Sequence, residues 1–507
     1  MDAVHIHVYT VAKATRGLAE YLKNASPLPS CAIAFDSRNK SREFAAVAAE
    51  VLAQAGIQVW YYNELTPTPM LSFAVRYLHC SAGIVITASH NPSIYNGYKV
   101  YGSDGCQITL EVASQIQTCI ATQPMFPYET RRKEGCFPIG GNLHVIQNDV
   151  IEAYYNAILS MNMRRPCVPL HVVYSPLNGT GNKPVREILH RLGIMTTVVL
   201  EQECPDGDFP TCPYPNPEDA GALHCAALLA QKIHADLFLA TDPDCDRVGV
   251  GIIIGNGVRL ITGNEMGVLL LDYLCKQRIA LGTMPKLPVA IKTIVTTEMA
   301  AAVAAYYGVE VRNVLTGFKF IGEQIGFLEK GGELERYVFG FEESCGYLSG
   351  TSVRDKDTIN AAMLICEMAA WYKSQGKTLL DVLKQLYDKY GYYQNRMLSF
   401  SFAGTTGMEK MGSLLESIRT QPPRKIAEWC VENIIDYATA PTGLPKSDVL
   451  KLHLSGGYTI IVRPSGTEPK LKLYLSGVDK TLSGAQKVLN DLCNACTNWM
   501  QQLEKIV

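Results

Sequence analysis

The stretch CAIAFDSRNKSREFAAVAAEVLAQAGIQVWYY, residues 31–62, decides the fold class. Its opening, CAIAFDS, is a short apolar run that ends at a turn, and REFAAVAAEVLAQAG (42–56) has the apolar spacing of a helix that closes at a glycine. IQVWYY (57–62) is apolar again, so the stretch predicts a strand, a helix and a second strand. AGIVITAS (82–89) predicts a further buried strand whose end leads into a Ser-His-Asn-Pro turn.

This alternation of strand and helix restarts twice along the chain. The restarts begin at LHVVYSP (170–176) and at LPVAIKTIVTT (287–297). The run VLKLHLSGGYTIIVRPSGTEPKLKLYLSG (449–477) differs, because its strands are joined by short glycine-containing turns that are typical of an antiparallel sheet. We therefore predict an α/β protein in which three similar mixed α/β domains and a C-terminal α+β domain surround a central cleft. The predicted domains are residues 1–165, 166–282, 283–393 and 394–507.

The composition is that of a soluble globular protein. Its 507 residues are 47% hydrophobic and 19% charged with a formal net charge of -2, which gives no reason to expect a nucleic-acid or membrane partner. The start of the chain lacks the features of a signal peptide, and no uncharged run is long enough to span a bilayer. The 16 cysteines follow no regular spacing, which favours reduced thiols and therefore the cytoplasm. The sequence does not indicate the oligomeric state.

The clearest chemical signal is TDPDCDRVGV, in which Asp242, Asp244 and Asp246 alternate at the end of an apolar strand. Three neighbouring carboxylates repel one another unless a cation lies between them, and oxygen ligands without a nearby Cys or His suit Mg²⁺. A calcium loop is excluded, because its sixth position would be Arg247 instead of Gly and its twelfth would be Ile253 instead of Glu. The alternative that stays open is a solvated acidic turn.

Ser89 is a candidate nucleophile or phosphate carrier in TASHNP (87–92). The turn at Pro92 holds this serine outward beside polar neighbours, although an ordinary Ser-Asn-Pro turn has the same composition.

Three further runs carry polar or charged groups. RPSGTEPK (463–470) follows a strand, and its arginine, hydroxyl and amide groups are able to surround a phosphate. GFEES (340–344) offers acceptors for sugar hydroxyls, and RDKD (354–357) has mixed charge. Each of the three is also compatible with a polar surface turn.

TASHNP, TDPDCDR, GFEES and RPSGTEPK, in this order over nearly the whole chain, resemble the α-D-phosphohexomutase family. The resemblance implies a phosphoserine at Ser89, which also contacts the metal, and Mg²⁺ on the three aspartates Asp242, Asp244 and Asp246. It implies three candidates for proton transfer, without assigning their half-reactions: His90, Lys99 and Lys356. It also implies a set of residues that bind the sugar phosphate: Arg247, Glu342, Ser344, Arg463, Ser465, Gly466 and Thr467.

The implied activity is an intramolecular phosphotransfer that interconverts glucose 1-phosphate and glucose 6-phosphate, with glucose 1,6-bisphosphate as activator. The glycine at Gly346, in GFEESCGYL, resembles glucose-type and ribose-type members more than bacterial mannose-type members. The alternatives are a pentose or mannose phosphomutase, a glucose 1,6-bisphosphate synthase that uses an acyl phosphate donor, and an inactive phosphosugar-binding protein. The expected partners are small sugar phosphates.

The start of the chain departs from the family pattern. Members of the family usually open with a strand and a Gly-Thr-x-Gly-x-Arg-Gly type loop, whereas this chain opens with DAVHIHVYTVAKATRGLAEYL (2–22), which resembles the helix that follows that strand. We therefore expect the first domain to lack one strand and one active-site arginine.

Overall fold

The computed structural model describes residues 6–126, 136–137, 140–255, 257–402, 406–465 and 469–504. The chain forms two compact units. The first contains Met1–Lys292, Tyr307–Arg312 and Gly317–Leu379, and the second contains Thr293–Tyr306, Asn313–Thr316 and Leu380–Val507. The first unit contains more than one sheet, so this division does not test the boundaries of the four predicted domains, which stay a prediction.

The first sheet contains the stretch on which the fold prediction depends. Its strands lie in the order β4-β3-β1-β2-β5, with β1 parallel to β2 and β3, and β4 antiparallel to β3. The predicted strand, helix and strand of residues 31–62 are β1, α2 and β2. The elements are α1 (Val8–Ala25), β1 (Ser30–Phe35), α2 (Ser41–Gln54), β2 (Gln58–Tyr61), α3 (Thr68–Tyr77), β3 (Ala82–Ile86), β4 (Tyr98–Gly102), α4 (Leu110–Thr122), β5 (Leu143–Val145) and α5 (Asn148–Leu159).

The second sheet has the strand order β10-β9-β8-β6-β7. Strand β6 is parallel to β7 and β8, and β9 is antiparallel to β8. The elements are β6 (His171–Ser175), α6 (Asn182–Arg191), β7 (Met195–Val198), α7 (Leu200–Glu203), α8 (Ala220–Lys232), β8 (Leu237–Thr241), β9 (Val248–Ile254), β10 (Gly257–Ile261) and α9 (Gly263–Ala280).

The third sheet has the order β12-β11-β13-β14, with β11 parallel to β13 and β14 antiparallel to β13. A 3₁₀ turn at Leu334–Arg336 precedes β13. The elements are β11 (Val289–Thr293), α10 (Met299–Tyr306), β12 (Glu310–Val314), α11 (Phe318–Lys330), β13 (Tyr337–Glu342), β14 (Gly346–Leu348), α12 (Thr358–Lys373) and α13 (Leu379–Tyr390).

The three sheets share one plan, as predicted. In each, the first strand lies between the second and the third, and an antiparallel fourth strand follows on the other side of the third. The third strands, β3, β8 and β13, are completely buried, which explains their continuous apolar sequences. Ser89, Asp242 and Glu342 lie at or just after the carboxyl ends of these three strands, and such strand ends are where α/β proteins bind ligands.

The fourth sheet belongs to the second unit and is antiparallel, as predicted. Its order is β15-β20-β19-β18-β17-β16, and burial alternates along β18 and β20 because only one face of each strand meets the core. The elements are β15 (Tyr392–Ser401), α14 (Gly407–Thr420), β16 (Lys425–Ile426), β17 (Trp429–Asp436), β18 (Leu450–Leu454), β19 (Tyr458–Pro464), β20 (Lys470–Asp479) and α15 (Leu482–Glu504).

The cysteines and the helices were both subjects of expectations from the sequence. All 16 cysteines lie within the described residues, and all are free thiols. Among the described helices, none combines the length and the apolar character that crossing a membrane requires.

A buried carboxyl on α12 makes stability depend on pH. Glu367 accepts hydrogen bonds from the hydroxyl of Tyr273 (2.7 Å), the main-chain N–H of Met163 (3.0 Å) and the amide of Asn162. Burial nevertheless raises the pKa of Glu367 from 4.5 to about 7. Because the folded pKa lies above the unfolded one, the stabilisation is complete below about pH 4.5 and is lost as the pH rises through about 7.

We expect Glu367→Gln to flatten this dependence. The glutamine keeps one acceptor for Asn162 and Met163, and its amide donates to the oxygen of Tyr273. Between pH 6 and pH 8 the wild type should lose roughly 1–2 kcal/mol of unfolding free energy relative to the variant. Urea unfolding of both proteins at the two pH values measures the difference. Parallel pH profiles would show that Glu367 does not titrate in this range.

Candidate functional site

Ser89 lies three residues after β3 in a left-handed backbone conformation, with φ 53°. Its N–H donates to the hydroxyl of Thr87 (2.8 Å), which closes a tight turn. Its hydroxyl donates to Oδ2 of Asp242 at 2.8 Å and lies 3.3 Å from Nδ1 of His90. The candidate nucleophile predicted in the first sheet therefore directly contacts the candidate metal loop of the second.

The loop that carries Ser89 is held by one buried arginine. Arg38 follows β1, is 3% exposed, and pairs through Nε with Asp36 at 3.3 Å. Its guanidinium donates to main-chain carbonyl oxygens of four loop residues, Ser89, Asn91, Pro92 and Tyr95. Its Cζ also lies 5.1 Å from the ring centroid of Phe209, which lies between α7 and α8 in the part of the chain that forms the second sheet. Sequence reasoning missed this residue, although an arginine just after a buried strand was a visible signal.

We expect Arg38→Lys to lower kcat of the expected phosphate transfer by about 10- to 100-fold, because a point-charge ammonium cannot replace a planar fork of donors and Ser89, the candidate phosphate carrier, would shift. The exposed Arg42, substituted in the same way, is the matched control and should keep near wild-type activity. Steady-state kinetics and melting temperatures of both variants test this prediction. A kcat for Arg38→Lys equal to that of the control would contradict it.

The three predicted metal ligands form a buried cluster. One carboxylate oxygen from each of Asp242, Asp244 and Asp246 lies within 4.8 Å of the others. Oδ1 of Asp244 and Oδ1 of Asp246 are buried without a hydrogen-bond partner, which is costly unless a cation binds there. Burial and the neighbouring carboxylates raise the pKa of Asp242 and Asp246. These residues fit a hard divalent cation, and a solvated acidic turn is excluded because all three are buried.

Main-chain groups hold the metal loop in shape. Oδ1 of Asp242 accepts hydrogen bonds from the N–H groups of Asp246 and Arg247, each at 2.9 Å. Thr180 donates to the carbonyl of Pro243 through both its N–H and its hydroxyl, each at 2.9 Å. Asp244 is held from the first sheet's part of the chain, because Thr68 at the start of α3 donates its N–H to the main-chain carbonyl of Asp244 (2.9 Å) and its hydroxyl to Oδ2 (3.0 Å).

Two lysines complete the cluster. Nζ of Lys99, on β4, lies 2.9 Å from Oδ2 of Asp244, and Nζ of Lys356 lies 3.0 Å from Oδ2 of Asp246. Burial opposes the charge of each lysine, but the aspartates outweigh it and raise both pKa values. The opposite holds for His90, whose pKa is lowered well below its usual range by burial and by Arg247. Lys99 and Lys356 therefore stay cationic beside the aspartates, whereas the imidazole of His90 is neutral and its Nδ1 lies 3.3 Å from the hydroxyl of Ser89. Nε of Arg247, 3.7 Å from Oδ1 of Asp246, adds a third cation.

The GFEES loop (340–344) and the candidate metal loop meet at Arg247. Its guanidinium donates to Glu218 at 3.0 Å and to the main-chain carbonyl of Ser344 at 3.3 Å. Glu342 is 5% exposed and accepts a hydrogen bond from the N–H of Gly317 at 2.8 Å. Sequence reasoning brought these two loops into one site but missed Glu218, because an isolated acidic residue carries no local signal.

The remaining predicted residues belong to the second unit. Arg463 lies on β19 beside Lys472, and the N–H of Ser465 donates to the carbonyl of Lys470 at 2.7 Å. Gly466 and Thr467 lie outside the described residues.

Four family models match the chain in sequence order. They describe phosphoglucomutase/phosphomannomutase alpha/beta/alpha domain I at residues 2–125, domain II at 152–252, domain III at 262–390 and the C-terminal domain at 423–488.

The chain is also similar to proteins named phosphoglucomutase. One, from Staphylococcus aureus (strain bovine RF122 / ET3-1), is 37% identical over 488 residues, which cover 93% of this chain and 86% of the relative. Another, from Staphylococcus haemolyticus, is 37% identical over 500 residues, covering 95% and 89%.

Solved structures share the fold. A putative phosphomannomutase from Thermus thermophilus superposes with a TM-score of 0.73 at 21% identity and covers 98% of this chain and 95% of its own. The phosphoglucomutase parafusin from Paramecium gives 0.71 at 18% identity, covering 96% and 91%.

Proposed function

The chain belongs to the phosphoglucomutase/phosphomannomutase family of phosphate-transferring isomerases, and we propose that it interconverts glucose 1-phosphate and glucose 6-phosphate through a phosphoserine at Ser89. The observation that carries the proposal is the 2.8 Å hydrogen bond from the hydroxyl of Ser89 to Asp242. A serine hydroxyl beside buried carboxylates is suited to carry a dianionic phosphate, because a cation bound by those carboxylates would neutralise the charge of the phosphate. The naming of the staphylococcal relatives supports glucose as the sugar.

The reaction consists of two phosphoryl transfers. Phosphorylated Ser89 gives its phosphate to the free hydroxyl of the bound sugar monophosphate, which leaves a serine hydroxyl and a sugar bisphosphate. The bisphosphate reorients and returns its other phosphate to Ser89. Glucose 1,6-bisphosphate is therefore the activator that phosphorylates an unmodified enzyme.

Asp242, Asp244 and Asp246 would hold Mg²⁺, the metal that we propose for this oxygen-only site. When bound, this ion would neutralise charge on the phosphate at Ser89. The two buried carboxylate oxygens that lack a hydrogen-bond partner support this assignment.

His90, Lys99 and Lys356 are our candidates for proton transfer and charge stabilisation. Nδ1 of His90 lies 3.3 Å from the hydroxyl of Ser89, within reach of the proton that this oxygen gains or loses. The two lysines are held by carboxylates of the cluster, which supports a role for both in stabilising the transferring phosphoryl group.

The other predicted residues would bind the substrate. Glu342 and Ser344 would contact sugar hydroxyls, and Arg247 would contact the phosphoserine or the sugar phosphate. Arg463, Ser465, Gly466 and Thr467 would bind the phosphate that is not transferring. We propose the cytoplasm as the compartment, because all 16 thiols are unpaired.

The test is a coupled assay of purified protein with Mg²⁺, glucose 1-phosphate and a trace of glucose 1,6-bisphosphate, in which a dehydrogenase detects glucose 6-phosphate. Parallel reactions with ribose 1-phosphate and mannose 1-phosphate rank the sugars. A reaction with an acyl phosphate donor and glucose 1-phosphate tests for bisphosphate synthesis. Turnover that is highest with glucose 1-phosphate supports the proposal. No turnover with any sugar would contradict it.

A further inference from the structure

Asp355, the residue before Lys356, accepts hydrogen bonds through both of its carboxylate oxygens. Oδ1 of Asp355 accepts hydrogen bonds from the main-chain N–H of Lys356 (2.8 Å) and from its ammonium (3.1 Å). Oδ2 of Asp355 accepts a hydrogen bond from the hydroxyl of Tyr101 on β4, at 2.7 Å. Tyr101 is 0% and Asp355 4% exposed, so water does not compete for these bonds. Both carboxylate oxygens of Asp355 are therefore engaged, one by the lysine and one by the tyrosine.

The aliphatic part of the Lys356 side chain, its stem, passes so close to Gly346 that only a glycine leaves room for it. A Cβ at Gly346 would lie 2.3 Å from Cδ and 2.8 Å from Cγ of Lys356, so any side chain there would displace the middle of the stem. The ring of Phe318 lies on another side, with its centroid 5.5 Å from Nζ. The ammonium is thus held between Oδ1 of Asp355 at 3.1 Å and Oδ2 of Asp246 at 3.0 Å.

We propose that Asp355, oriented by Tyr101, is a positioning residue that fixes the ammonium of Lys356 against the aspartate cluster, and that Gly346 keeps the path of the lysine stem open. A lysine side chain is flexible and loses rotamer entropy when it is held in one place. Two carboxylates acting on one ammonium supply that restraint, and the tyrosine bond prevents Asp355 from rotating away. The role in catalysis rests on the proposed function.

The ammonium of Lys356 is shared between two carboxylates, Asp246 and Asp355. Lys356 contacts Asp246 through Oδ2 only, and Oδ1 of Asp246 has no hydrogen bond, with Nε of Arg247 at 3.7 Å. Removal of the Asp355 charge should draw the ammonium more closely onto Asp246. The proposal therefore predicts an effect on Mg²⁺ binding as well as on turnover.

The kinetic test compares single and double variants. Asp355→Asn should lower kcat about 10- to 50-fold with KM changed less than about 3-fold, since it misplaces a group that acts on the transferring phosphate. Tyr101→Phe, which removes only the hydroxyl, should lower kcat about 3- to 10-fold. In a Lys356→Met background, neither change should lower kcat further, because the group being positioned is gone. Equal losses in both backgrounds would overturn the proposal.

A second readout does not depend on turnover. Calorimetric titration with Mg²⁺ should show about 3- to 10-fold weaker binding for Asp355→Asn than for wild type, and no such difference in the Lys356→Met background. Gly346→Ala, which leaves every charge in place, should lower kcat as Asp355→Asn does, with melting temperature recorded to identify misfolded protein. If wild type isomerises no sugar phosphate, the proposed function fails while the titration still decides the positioning role. Unchanged Mg²⁺ affinity in Asp355→Asn would overturn it.

Discussion

Ser89→Ala is expected to lower kcat/KM for sugar-phosphate isomerisation by about 10⁴-fold or more, because the residue that carries the phosphate through both half-reactions is lost. The backbone turn should survive, since it depends on the N–H of Ser89, which donates to Thr87 at 2.8 Å, and not on the hydroxyl. The coupled assay measures the loss. Intact-protein mass after incubation with glucose 1,6-bisphosphate should show one added phosphate on wild type and none on the variant.

Ser103→Ala is the matched control for this experiment. Ser103 is an exposed serine just after β4 in the same sheet domain, so its substitution should leave both turnover and phosphate incorporation unchanged. Turnover in Ser89→Ala within a factor of about 10 of the wild type would rule out the phosphoserine mechanism.

Asp244→Asn is expected to have the second-largest effect. It removes one negative charge from the cluster, and the neutral amide oxygen that replaces the carboxylate is a weaker ligand for a divalent cation. Affinity for Mg²⁺ should fall about 10- to 100-fold or more, and kcat at saturating glucose 1-phosphate should fall on the order of 10²- to 10³-fold. The variant also leaves Lys99 without its 2.9 Å carboxylate partner, which adds to the loss.

The control for Asp244→Asn is Asp149→Asn, at an exposed aspartate in the first turn of α5. Its Mg²⁺ dependence should match that of the wild type. Calorimetry gives the affinity, and activity measured over a range of Mg²⁺ concentrations gives the requirement in turnover. An unaltered magnesium requirement in Asp244→Asn would count against this metal site.

Much of the candidate site was visible in the sequence, because its chemical groups occur in short contiguous runs at strand ends. Ser89 and Asp242 were recognised in this way, and the structure joins them by a 2.8 Å hydrogen bond. Arg38 was not recognised, since its importance lies in main-chain carbonyl groups 51 to 57 residues away. Asp355 was noted only as part of a mixed-charge run, because its contact with Tyr101 joins separate sheet domains.

The sequence by itself determined the α/β class, the repeated order of strands and helices, and the types of residue that bind metal and phosphate. Local periodicity and motif chemistry are properties of neighbouring residues, and a linear pattern records them. Only the tertiary structure decided that Lys99 pairs with Asp244 and Lys356 with Asp246. Those pairings depend on how the three sheets pack their strand ends together. Packing also buries these groups, and a buried charge without a partner is costly.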